Sequence, residues 1–148
     1  MAFQFSLDAV LRLRQSLQRQ QELLLREANQ QLTALQVRID DLNAQISQHA
    51  TQENLKLAST LSAAELQFMQ LCRSVLLGQR GGLEKRLATA QALRDSRMTS
   101  FRQARQQREV LETLCQTQAQ VYGQSEARQN QRQLDDLLLL RRAYLRRS

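Results

Sequence analysis

No proline interrupts the 148 residues, and apolar side chains recur at steps of three and four over almost the whole length. That combination leaves little besides helix. Proline in a helix interior costs about 3 kcal/mol, and a 3.6-residue period cannot keep one face of a strand apolar. Only four glycines, four phenylalanines and two tyrosines are available, against an abundance of glutamine, arginine, leucine and alanine. This is the profile of long helices or coiled coil, and no sheet is expected.

The opening, Phe3-Gln4-Phe5-Ser6-Leu7, alternates like a strand but runs without a turn signal into helical spacing. With Ser6 as N-cap, Phe5 and Val10 take the hydrophobic-staple positions, and Asp8 lies in the first turn, where the helix dipole favours a negative charge. The stripe continues through Phe3, Leu7, Val10, Arg14, Leu17, Gln21, Leu24, Ala28, Leu32, Leu35, Ile39, Leu42, Ile46 and His49. Consecutive four-residue steps from Leu24 to Ala28 to Leu32 form a stutter, which locally unwinds a left-handed supercoil without ending the helix. The spacing predicts a first helix over about residues 7–55.

A linker is expected over about residues 56–61. Ser62-Ala63-Ala64-Glu65 has the capping-box form S-x-x-E, so a second helix starts there. Its stripe reads through Leu83, Leu87, Ala90, Arg94, Met98, Phe101, Ala104, Arg108, Leu111, Cys115, Gln118 and Tyr122, and the helix is expected to reach about residue 140. Gly81-Gly82 costs roughly 1 kcal/mol per glycine relative to alanine. Leu76 and Leu83 nevertheless stay seven apart across the pair, so it reads as a soft spot in one helix and not as a turn.

Two such helices on a short linker pack antiparallel, because neither can bury its stripe alone. At 1.5 Å per residue they are about 75 Å and about 120 Å long. The expected fold is an all-α, antiparallel two-helix coiled-coil hairpin whose longer second helix overhangs at the termini. That overhang holds Leu134, Leu137, Leu138, Tyr144 and Leu145 beside Arg141, Arg142, Arg146 and Arg147. At the other end, eight of the twelve residues 66–77 are apolar and point all round the helix. One partner helix cannot cover them, so they form either a third packing surface or a binding surface. Cys72, Leu76, Gln79 and Leu83 share a face there; they belong either to this surface or to the internal seam.

The charge of +7 is lopsided: residues 1–58 carry six basic and six acidic groups, and residues 59–148 carry fifteen and eight. Arginine outnumbers lysine 19 to 2, which suits forked contact with carboxylate or phosphate. Catalytic signatures are lacking. His49, the only histidine, falls on the stripe as a packed residue. Cys72 and Cys115 would lie roughly 65 Å apart on one helix and read as free thiols. Asp40-Asp41 and Asp135-Asp136 have no histidine or cleft beside them, and residues 78–82 lack the Lys-Ser/Thr of a P-loop. No enzyme, cofactor or metal is expected. The longest apolar run, residues 137–140, is far short of the ~20 residues of a membrane span, so the chain is expected to be cytoplasmic, with no transmembrane segment.

The start, Phe3-x-Phe5-x-Leu7-x-x-Val10-Leu11-x-Leu13-Arg14, resembles the opening of the FliJ family, the stalk proteins of the bacterial flagellar type III export apparatus. Those stalks are similar to the YscO-like stalks of virulence secretion systems. Near the end, Glu126-Ala127-Arg128 followed by Arg132-Gln133-Leu134-Asp135-Asp136 resembles that family's basic stretch running into a Leu/Met-Asp-Glu/Asp triplet, with a richer leucine run at residues 137–140 as a departure. The resemblance implies a hairpin similar to the central stalk subunit of rotary F-type ATPases. Its implied partners are the export ATPase hexamer, the cytoplasmic domain of the export gate protein, and export chaperones. The ring contact would then involve Phe3, Phe5, Arg128, Arg132, Leu134, Asp135, Leu138, Arg141, Arg142 and Leu145. The gate contact would involve Cys72, Leu76, Gln79 and Leu83. The resemblance further implies a monomer when free, peripheral at the inner face of the cell membrane at the flagellar basal body.

Two other classes compete with this reading. Arg97, Arg102, Arg105 and Arg108 motivate nucleic-acid binding, but there is no bZIP-type basic block and aromatics for base stacking are scarce. A parallel-dimer scaffold is the other alternative, and helix orientation separates it from a hairpin.

Overall fold

The structure, a computed structural model, describes residues 2–148. It is an all-α, two-helix hairpin: α1 spans Asp8–Leu57 and α2 spans Ala63–Arg147, with no strand among the described residues.

Each helix end follows from local chemistry. Leu7, not Ser6, is the first residue whose carbonyl accepts an α-helical bond, from Leu11 N–H at 2.9 Å, and just before it the chain makes a turn in which Asp8 N–H donates to the Phe5 carbonyl at 3.1 Å. That turn, and not a serine side chain, sets the entry of α1. Asp8 pairs with Arg12 one helical turn on, at 2.9 Å. At the far end of α1 the Ser59 hydroxyl and Ser59 N–H both donate to the Lys56 carbonyl, at 2.8 and 3.1 Å, satisfying an orphan acceptor without a glycine. The serine half of the capping box forms as the S-x-x-E pattern anticipates: Glu65 N–H donates to Ser62 Oγ at 3.3 Å. α2 continues through Arg141, Arg142, Ala143 and Leu145 to Arg147, seven residues beyond the expected end, because good helix formers follow one another there and arginines suit a helix C-terminus.

The chain divides into two units, each built from a stretch of both helices. One comprises Arg19–Arg102 and holds the linker. Ala28, Leu32, Leu42 and Met69 are buried in it. Its helices run antiparallel: Leu42 shares a groove with Leu83, and Ile46 and His49 one with Leu76 and Arg80. Gly81 and Gly82 lie inside unbroken helix with no positive φ.

The other unit comprises the residues up to Gln18 together with Gln103–Ser148. It too is antiparallel. Arg14 Nη1 donates to Gln107 Oε1 at 2.6 Å, and the Phe3 and Tyr122 rings meet at 5.6 Å between centroids, inclined by 50°. Leu11 is its buried residue, whereas Leu7 and Val10, which the spacing places on the seam, are exposed. The inward position is Leu11, one residue on from Val10, and the aromatic lead-in of Phe3 and Phe5 lies beside Asp8 and Cys115. On α2 the inward residue near the end of the seam is Ala119, not Gln118.

Two facing helices give a seam and no enclosed interior. Only five hydrophobic residues of the described chain are buried, and no side chain is fully so. The ion pairs are mostly neighbours one turn apart on a single helix, such as Arg26 with Glu22 and Arg105 with Glu109, and each contributes about 0.3–0.5 kcal/mol.

Candidate partner-binding surfaces

In the unit holding the linker, the apolar residues of α2 form two stripes. The inner one passes through Met69, Cys72, Leu76 and Leu83, which are buried or half-buried. Leu76 lies beside Ile46 and His49, and Leu83 beside Leu42. Of the four residues expected to form a gate-facing surface, Cys72, Leu76 and Leu83 therefore belong to the seam side, and only Gln79 is exposed. The outward stripe runs one residue earlier at each step, through Phe68, Leu71 and Val75, which are 67%, 62% and 50% exposed. At 100° per residue the two stripes are about a quarter-turn apart, so the helix is apolar over more than its partner covers. The spacing of 68, 71 and 75 is as regular as that of 69, 72 and 76, so periodicity signals a second stripe without telling which of the two faces outward. Gly78 and Gly82 prolong the outward stripe, and a side chain added at either would meet nothing within 4 Å, so helix packing within the hairpin does not demand glycine there.

His49 sits in this seam with its side chain 18% exposed, and its Nδ1 has no hydrogen-bond partner; the nearest carboxylate oxygen, on Glu53, is 3.9 Å away. Arg73 and Arg80 line the same groove from α2. Among the described residues no group of three or more His, Cys, Asp or Glu side chains could hold a metal ion, and both cysteines are free thiols.

In the other unit the seam ends at Tyr122. Every residue from Gly123 to Ser148 is exposed, including Leu134, Leu138 and Leu145. Of the sequence-predicted ring contacts, Phe3 and Phe5 are half-buried against α2, while Arg128, Arg132, Leu134, Asp135, Leu138, Arg141, Arg142 and Leu145 all belong to this exposed helix. Its six arginines have no carboxylate partner among the described residues, and Asp135 accepts instead from Gln131 Nε2 at 3.1 Å. Elsewhere several guanidinium groups pair with a carboxylate on their own helix. Arg105 pairs with Glu109 at 2.9 Å and Arg108 with Glu112, which neutralises half of the cluster that would suit nucleic acid.

No helix of the described chain is long and apolar enough to cross a membrane. No curated protein matches the chain, and no solved structure does either. The family model described as "Flagellar FliJ protein" matches residues 3–148, from the aromatic lead-in to the last residue of the sequence. The chain belongs to the FliJ family and is a flagellar export protein.

Proposed function

We propose that the chain is a non-catalytic stalk of the flagellar type III export apparatus, coupling the export ATPase hexamer to the cytoplasmic domain of the export gate protein and assisting export chaperones. The observation that carries this reading is the helix beyond Tyr122. It is exposed throughout, yet holds six leucines, one tyrosine and six arginines. Helices in proteins draw most of their stability from packing an apolar face, and leucines without an intrachain partner gain only when another body covers them. An acidic-lined ring would supply apolar burial together with charge-assisted hydrogen bonds to the guanidinium groups. Phe3 and Phe5 then hold the start of α1 beside that helix, and Arg128, Arg132, Leu134, Asp135, Leu138, Arg141, Arg142 and Leu145 make the ring contact.

The gate contact falls on the linker end of α2. Phe68, Leu71 and Val75 provide its outward apolar stripe, Gln79 is exposed at the edge of the groove, and Cys72, Leu76 and Leu83 lie behind on the seam side. In this reading the free protein is a monomer, and it works in the cytoplasm at the inner face of the cell membrane beside the flagellar basal body.

Truncation after Arg128 tests the ring contact. The shortened chain is expected to keep the cooperative melting of the hairpin and to lose stimulation of the export ATPase. Stimulation equal to that of the full chain would place the ring contact elsewhere, on the N-terminal segment.

A further inference from the structure

The exposed end of α2 is amphipathic in a way that suits a lipid surface better than a second helix. Successive residues turn by about 100°, which gathers Leu134, Leu137, Leu138, Leu140, Tyr144 and Leu145 into an arc of about 160°. The opposite arc holds Arg128, Arg132, Arg142, Arg146 and Arg147 together with Asp135 and Asp136, and of the leucines only Leu139 falls on it. We infer that this segment binds the surface of a membrane containing anionic phospholipid, lying in the interface with the leucine arc in the acyl boundary and its arginines on lipid phosphates.

Three observations select this occupant. First, the arc is broad, whereas a coiled-coil seam with one partner helix is narrower. Second, Arg141 falls in the middle of the arc. Against an apolar helix its guanidinium would be buried, which is strongly unfavourable unless a carboxylate meets it. At an interface its aliphatic stem lies along the apolar layer while its head reaches back to phosphate. Third, the six arginines of residues 123–148 outnumber the three acidic groups there, and none has a carboxylate partner among the described residues. Unneutralised cations beside a leucine arc with an interfacial tyrosine match an anionic leaflet in both charge and polarity. Four consecutive leucines are too few to span, so the segment lies on the membrane and does not cross it. The inference needs no ATPase, but it draws on the residues that the stalk reading gives to the ring, Leu134, Leu138 and Leu145 among them, so lipid and ring would compete for this face.

The chain contains no tryptophan, so Tyr144→Trp in the full-length protein places a single indole reporter on the arc. With vesicles of phosphatidylcholine plus phosphatidylglycerol, the expected result is co-sedimentation and a blue shift of the indole emission. With phosphatidylcholine alone, neither is expected. Replacing Arg146 and Arg147 together by glutamine should weaken partitioning by about twenty-fivefold, at about fivefold for each arginine near an anionic surface. Adding Leu138→Asp and Leu145→Asp to the reporter chain should abolish binding, and because neither leucine has an intrachain partner the helicity by circular dichroism should persist. An unshifted emission on the anionic vesicles overturns the inference. So does equal binding by the double-aspartate variant, which would reduce the effect to adsorption of a basic protein. A dimer in sedimentation equilibrium that the same two aspartates dissociate would also overturn it, assigning the arc to a second copy. Binding to the export ATPase without any vesicle binding would overturn the lipid inference while leaving the stalk reading intact.

Discussion

Leu71 and Leu76 are five positions apart on α2, and exchanging each for aspartate separates the outward face from the seam. Leu76 is half-buried beside Ile46 and His49, while Leu71 is 62% exposed. Full burial of a leucine contributes about 1.5–3 kcal/mol, so a half-buried one forfeits about 1–1.5 kcal/mol when replaced. A carboxylate set into the remaining apolar contact adds a desolvation cost of about 1 kcal/mol, a low value because water and the guanidinium groups of Arg73 and Arg80 are close at hand. Leu76→Asp is therefore expected to destabilise the hairpin by about 2 kcal/mol, a fall in Tm of roughly 4–8 °C for a chain of this size. Leu71→Asp, at an exposed site, should stay within about 0.5 kcal/mol of the parent. Binding to the gate protein's cytoplasmic domain should respond in the opposite order: Leu71→Asp loses it by at least about tenfold, since a desolvated carboxylate at an interface costs more than 1.4 kcal/mol. Urea and thermal melts by circular dichroism measure the first quantity and titration calorimetry the second. A Leu76→Asp chain that melts like the parent, or a Leu71→Asp chain that binds the gate like the parent, refutes the division of faces.

Three further substitutions probe the hairpin itself. Ser62→Ala removes the Oγ that accepts from Glu65 N–H and should cost about 1 kcal/mol, read as a lower urea midpoint with an unchanged slope. Gly82→Ala should raise stability by about 1 kcal/mol, because the added methyl group meets nothing within 4 Å; a lower Tm would mean that α2 departs from regular helix there. His49→Leu removes an unpartnered Nδ1 from the seam and is expected to stabilise by about 1 kcal/mol, and a loss of stability would show that the imidazole has a partner in solution.

The seam was legible because a 3.6-residue period leaves few choices: Ala28, Leu32 and Leu42 are inward as the spacing places them. Ser62 was legible because a cap is a local arrangement that needs no knowledge of the partner helix. The faces of residues 66–77 were not. Two stripes there share the same period and the same apolar character, and a pattern in one helix cannot say which stripe meets the other helix. Only the register against Ile46 and His49 resolves it, and register is a property of the pair. The helix entry was missed for a related reason. Ser6 has the right side chain for a cap, but the turn in which the Phe5 carbonyl accepts from Asp8 N–H takes its place. The extent of α2 was underestimated because nothing in the sequence marks an end. Arginines at the close of a helix are as compatible with continuing as with stopping.

A hairpin with five buried residues among those described and no enclosed interior has no volume that must be filled, and this makes length a free variable. A globular domain that gains seven residues must repack around them. Here seven residues inserted into α1 and seven opposite them in α2 would add one more layer to a ladder of layers. Each such pair lengthens the hairpin by about 10.5 Å while shifting the helical phase by only about 20°. Insertions of two or five residues would instead turn one stripe away from the other. Length can thus be adjusted in whole heptads without changing which side chains face one another across the seam.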